Sequence, residues 1–189
     1  MIRLRNWKKA KFLVMISILT LIGAACSGVQ TESPSVENGP KRDSTPVTFH
    51  LEGVRNQTLD SSTVDKPMFL SFWATWCPYC REEMPVIESL YDEYEGKVEF
   101  AAVNLTHQDS VSSVEDYVKE HDLRLPVYFD KDGAVTELFQ VISTPTVVLL
   151  DPQGNEVYRK IGAGGKENEK EFRQQLDEVL ADKQPQKGG

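Results

Sequence analysis

A three-layer α/β/α fold is what the sequence predicts, on three observations. From Pro46 onward, strand-like apolar runs alternate with segments of helical spacing. Tight hairpin patterns near each end accompany buried strands in between, so parallel and antiparallel pairs must mix in one sheet. The chain has 189 residues, 40 % of them hydrophobic, which suits one soluble core of ordinary size plus accessory segments.

The elements follow in order. Residues 47–51 and a short piece near 57–59 read as an N-terminal hairpin. Residues 67–73 are a buried strand, and residues 77–94 a helix. Residues 98–105 form a second buried strand, ended by the polar run Thr106-His107-Gln108-Asp109-Ser110. Val111, Val114 and Val118 give residues 111–121 helical spacing. A third strand at 126–129 precedes a short helix at 133–139. Residues 146–150 are a strong strand, closed by the turn Asp151-Pro152-Gln153-Gly154, and 156–161 pair back as a hairpin. Phe172, Leu176, Val179 and Leu180 place residues 166–180 on an amphipathic helix. Trp73, Phe49, Phe100, Phe129 and Phe139 read as core. No internal repeat is present.

The formal charge of −8 argues against nucleic acid, which needs a basic face. Five basic residues and no acid fall in the first 25 positions, so without them 16 basic and 29 acidic residues remain, near −13. Such a chain is repelled by anionic lipid. Membrane attachment must then be covalent or through an uncleaved helix. Residues 1–11 form a basic leader and 12–22 an apolar run too short to span a bilayer comfortably, followed by Gly23-Ala24-Ala25-Cys26. This reads as a secretory signal over 1–25. Ending on Cys26, it resembles a bacterial lipoprotein signal, in which that cysteine is acylated. It departs from that pattern at Gly23, where Leu, Val or Ile is usual. An ordinary cleaved signal and an uncleaved anchor are the alternatives. A free thiol in an exported chain is a liability, and this favours lipidation of Cys26. Residues 26–45 are a polar tether rich in Pro and Gly, reaching some tens of ångströms; 183–189 are a disordered tail. The expected location is extracytoplasmic, on a bacterial cell membrane through lipid, or else secreted or periplasmic.

Trp76-Cys77-Pro78-Tyr79-Cys80 carries the chemistry. Two cysteines three apart, opening a helix after a buried strand, suit thiol–disulfide exchange. Cys77 would cap the helix and Pro78 would take its first position, where a missing N–H costs nothing. One helical turn sets the two Cα atoms about 5 Å apart, within reach of a disulfide. Unpaired amides and the positive end of the helix dipole stabilise a thiolate at Cys77. Cys77 is expected to be accessible and Cys80 deeper. Half of a zinc site is one alternative, but zinc needs two more ligands, and only Cys26 and the scattered His50, His107 and His121 remain. A structural disulfide is the other, but so short a loop constrains little of the unfolded chain.

With Phe72-Trp73-Ala74-Thr75-Trp76-Cys77-Pro78-Tyr79-Cys80 and Ser143-Thr144-Pro145-Thr146 both read, the chain resembles the thioredoxin superfamily. Within it, the chain is similar to the TlpA/ResA-type membrane-attached thiol–disulfide oxidoreductases over residues 46–182. The resemblance implies a thioredoxin-like fold with a strand and helix inserted within residues 105–139. It also implies a cis bond before Pro145, with Thr144 set against the cysteines to align an extended substrate; without the motif, a trans proline starting an edge strand would be the reading. Thioredoxins bury an Asp on the strand before the cysteines, and here Ser71 holds that position and cannot titrate. The ResA-like pattern places a Glu three residues after the second cysteine, which is Glu83. There it could move a proton to or from Cys80. A solvated first-turn acid is the other reading of Glu83, and it suits Glu82. Pro85 should kink the helix. Trp76, Pro78 and Tyr79 form a substrate-facing rim, Tyr79 being ambiguous because the Pro-Tyr pair also occurs in glutaredoxins.

The function expected from the resemblance is an extracytoplasmic, membrane-tethered reductant of disulfides in exported proteins. Apocytochrome c or a spore-envelope protein is the implied substrate, with electrons from a membrane thiol–disulfide donor. The redox group is the Cys77–Cys80 pair, and no metal or organic cofactor is implied. The rivals are a disulfide-introducing oxidase, a redox-inactive binding module, and a peroxidase, which needs a lone cysteine after a Pro-x-x-x-Thr motif that the sequence lacks.

Overall fold

The buried run ahead of the cysteine pair becomes an interior strand. In a computed structural model, which describes residues 48–162 and 165–182, seven strands make one sheet. These are β1 (His50–Gly53), β2 (Thr58–Asp60), β3 (Met68–Trp73), β4 (Glu99–Asn104), β5 (Val127–Phe129), β6 (Thr146–Leu150) and β7 (Glu156–Ile161), ordered β2-β1-β5-β4-β3-β6-β7. All six residues of β3 are buried, as a strand covered on both faces requires. Ser71 lies beside Ala102 of the parallel β4 and beside Val147 of the antiparallel β6. β4 is parallel to β5, while β1 and β7 add antiparallel to β5 and β6. The mixture expected from the sequence is therefore present.

Among the described residues, four α-helices cover this sheet: α1 (Pro78–Glu93), α2 (Val111–Glu120), α3 (Ala134–Leu138) and α4 (Lys166–Ala181). Strand alternation sorts the core into two clusters. Phe69 and Trp73 pack on one face with Met84, Leu90, Val114 and Phe172, from α1, α2 and α4. Leu70 and Phe72 pack on the other with Phe49, Leu51, Val135 and Phe139. Phe172 is fully buried and meets Phe69 edge-on at 5.5 Å. Burying a phenyl ring stabilises by roughly 1.5–3 kcal/mol.

Within 105–139, where one inserted strand and one inserted helix were expected, stand one strand, β5, and two α-helices, α2 and α3. The first strand begins at His50 instead of 47. The reason is local: Phe49 gives its N–H to Ser61 Oγ at 2.8 Å, while its carbonyl still accepts the Ser61 N–H at 3.0 Å. Pro85 lies inside α1, which runs on through it. The expected signal (1–25), the tether with Cys26 (26–45) and the tail (183–189) lie outside the described residues. Among those residues, no helix is long and apolar enough to cross a membrane.

Candidate active site

Cys77 and Cys80 are joined as a disulfide with their Cα atoms 5.3 Å apart, the separation one helical turn imposes. Cys77 is the N-cap of α1 and Pro78 its first residue. The Cys77 sulfur accepts the N–H of Cys80 at 3.2 Å. A helix N-terminus carries amides without partners inside the helix, so this contact follows from the sequence position. When the pair is reduced, the same amide faces a thiolate and favours its charge.

The peptide bond between Thr144 and Pro145 is cis, and the Thr144 carbonyl oxygen lies 3.7 Å from Cys77 Sγ. Thr144 is half-buried, Pro145 buried, and Ser143 and Ile142 ahead of them exposed. Trp76 and Tyr79 are 55 % and 62 % exposed, and Ile142 reaches 85 %. Pro78 is also exposed. Water therefore meets apolar side chains on the two segments that carry the disulfide and Thr144. Ile142 was not among the residues singled out in the sequence; its place two ahead of Thr144 was the available signal.

The expectation of an open Cys77 above a sheltered Cys80 needs correction. Both residues are buried, at 4 % and 2 % exposure. Cys77 is bonded to the buried Cys80, and the Thr144 carbonyl lies against its sulfur. That contact, at 3.7 Å, is what distinguishes Cys77 from Cys80.

The solvated reading of Glu83 is also overturned. Glu83 is 1 % exposed, and its Oε1 accepts the side-chain amide of Asn168, itself buried on α4, at 2.9 Å. Glu82 is exposed, but it lies past the first turn of α1, which holds no acid. Beyond this pair, the Tyr158 hydroxyl donates to Glu171 Oε1 at 2.8 Å, and Lys160 Nζ donates to Glu171 Oε2 at 2.7 Å. Burial pushes the Tyr158 phenol up, and the Glu171 bond, the Glu171 charge and the Glu83 charge add to it. Ser71 is buried on the β3 face that carries Phe69 and Trp73.

A second polar cluster holds the strand end that leads into the cysteines. Asp109 accepts the Thr75 N–H at 2.7 Å, the Thr75 hydroxyl at 2.8 Å and the Asn104 amide at 3.0 Å. Trp76 Nε1 donates to the Gln108 carbonyl at 3.0 Å. Burial acts to raise the Asp109 carboxyl, but donors from Thr75, Asn104 and Ser110 outweigh it and hold it below the ordinary carboxylate range. Asp109 carries no signal of its own in the sequence, standing in the polar run after β4. Among the described residues, no group of three or more His, Cys, Asp or Glu is arranged to hold a metal.

Comparison with known proteins agrees with this geometry. The sequence pattern of the AhpC/TSA family matches residues 43–159. The thiol-disulfide oxidoreductase ResA of Bacillus thuringiensis subsp. konkukian is 33 % identical over 171 residues, covering 87 % of this chain and 96 % of that protein. Among solved structures, StoA from Bacillus subtilis superposes with a TM-score of 0.62 at 28 % identity, covering 69 % of this chain and 99 % of its own. The pneumococcal exposed lipoprotein thioredoxin from Streptococcus pneumoniae gives 0.64 at 28 % identity, covering 70 % of this chain and 99 % of its own. The folds coincide with the thioredoxin-like arrangement expected from the two motifs.

Proposed function

We propose that this chain, which belongs to the AhpC/TSA family and is a thiol–disulfide oxidoreductase, works outside the cytoplasm as a tethered reductant of protein disulfides. One observation carries the reading: a cysteine pair at a helix N-terminus lies against the Thr144 carbonyl, with Trp76 and Tyr79 beside it in the chain and Ile142 two residues before Thr144, all three exposed. Such exposed apolar side chains suit a protein chain better than a small thiol, because they offer contact area beyond the reacting sulfur. The leader-like segment ending at Cys26, and the likeness to an exposed lipoprotein thioredoxin, support an extracytoplasmic lipid anchor. Apocytochrome c is the substrate we favour, on the resemblance to ResA-type proteins.

The reaction runs in two exchanges. The Cys77 thiolate attacks one sulfur of the substrate disulfide; a Cys77–substrate disulfide forms and the first substrate thiolate leaves. Cys80 then gives up its proton and attacks Cys77 Sγ. The Cys77–Cys80 bond closes, the second substrate thiolate leaves, and two electrons have passed to the substrate. Thr144 and Pro145 align the incoming chain in extended form. Glu83, one turn beyond Cys80, serves as the acid–base group for the second step. A membrane dithiol partner restores the reduced pair by the same exchange in reverse.

Replacing Cys80 by Ser should arrest the sequence at the mixed disulfide. Non-reducing electrophoresis then shows a substrate adduct that dithiothreitol releases, and insulin reduction falls to background. The direction is tested by equilibrium with glutathione. A potential of about −270 mV or below is expected of a reductant; one near −120 mV would overturn that direction in favour of an oxidase.

A further inference from the structure

Two carboxylates are buried among the described residues, Glu83 and Asp130, and they differ in kind. Asp130 binds the backbone and hydroxyl at the start of α3, through the N–H groups of Val135 and Thr136 and the Thr136 hydroxyl. That is local capping. Glu83 instead receives a side-chain amide from a helix 85 positions away in sequence. Position 168 lies one turn before Phe172, on the stripe that Phe172, Leu176 and Val179 bury in the core. An apolar residue would pack there without desolvating an amide. Asparagine at that place calls for a partner, and its partner is Glu83.

We propose that Asn168 is a positioning residue for the cysteine pair, fixing through its Nδ2 donation the direction of the Glu83 carboxylate one helical turn from Cys80. The inference rests on the acid–base role given to Glu83 above. The choice of residue type is informative. A lysine or arginine there would hold the carboxylate ionised and withdraw it from proton traffic. An apolar residue would leave it desolvated without that donor. A carboxamide offers N–H to a carboxylate and C=O to a carboxylic acid, so it can orient Glu83 in both protonation states. The charged and titratable groups nearby are otherwise engaged or turned outward. On α1, Arg81 and Glu82 are exposed. On β7 and α4, Tyr158 and Lys160 both bind Glu171. Tyr158 feels the Glu83 charge, which places that charge within electrostatic reach of this flank.

The test uses the full chain, reduced, with the iodoacetamide reactivity of each cysteine followed against pH by peptide mass spectrometry. Asn168→Leu keeps bulk and removes the donor, which disfavours the Glu83 anion. With less negative charge facing it, Cys80 should titrate lower by about one pH unit, tenfold in thiolate fraction at fixed pH. Glu83→Gln should lower it as well, and Asn168→Leu added to Glu83→Gln should shift it no further. A Cys80 midpoint unmoved by Asn168→Leu but moved by Glu83→Gln would overturn the inference and leave the Glu83 role intact. No movement with Glu83→Gln would remove the Glu83 role and the inference with it. A shift by Asn168→Leu that persists in the Glu83→Gln background would show an action independent of Glu83 and equally overturn it. Asn168→Ala repeats the measurement if leucine prevents folding. A merely structural asparagine would lower the melting temperature and leave the pH midpoint in place.

Discussion

Trp73 and Trp76 stand three residues apart and meet opposite surroundings. Trp73 is fully buried against Tyr117, with ring centroids 5.1 Å apart, while Trp76 is more than half exposed and tied only at its indole nitrogen, to Gln108. Truncating each kind of aromatic should therefore have separable effects. Trp76→Ala should leave stability within about 0.5 kcal/mol while raising KM for a protein disulfide severalfold and sparing turnover of a small one such as a dithiopyridine. Phe172→Ala should cost about 3–5 kcal/mol of stability, read as the shift of a urea midpoint at constant slope. The residues whose chemistry travels with a motif were legible in advance: Cys77, Cys80, Pro78 and the cis Pro145. Ile142, Asp109 and Asn168 were not, because each acquires meaning only from a neighbour distant in the chain. Asn168 left one trace, a polar residue on an apolar stripe.

At the scale of elements, the segment after β4 acts as a clamp on the segment after β3. Thr75 offers Asp109 two donors and Asn104 a third, so the approach to Cys77 is held from the neighbouring strand. Because these bonds depress the Asp109 carboxyl in the folded state, their stabilisation is fully present above the unfolded carboxylate range, near pH 4. It is lost as pH falls through the lower folded value. Asp109→Asn should flatten the acid limb of a stability–pH curve below about pH 4 and lower the melting temperature at pH 7, as chemical or thermal unfolding across pH would record. Element positions were legible for a related reason. β3, β4 and β6 are apolar runs bounded by polar turns, and α4 carries a regular stripe, so local pattern and tertiary role agree. The sheet order was less accessible, since the placement of β5 between β1 and β4 depends on pairing between strands far apart in sequence. The start of β1 was misjudged because Ser61 intervenes from outside the strand.

For the molecule as a whole, the −8 charge sets which partners approach readily. Like charge slows encounter and opposite charge speeds it, and salt screens both. A disulfide peptide rich in lysine should react faster than a glutamate-rich one of the same length at low ionic strength. The two rates should converge as sodium chloride rises toward 1 M, where the Debye length is about 3 Å; stopped-flow tryptophan fluorescence would follow both. The spacing of the site along the chain has a separate consequence. The carbonyl against Cys77 comes from 67 positions later, and the amide that meets Glu83 from 85 positions after it. A polypeptide made from its N-terminus thus exposes two bare thiols to the surrounding redox pool before the groups that govern them have emerged. During its own biogenesis, the enzyme begins as a client of the chemistry it will later perform.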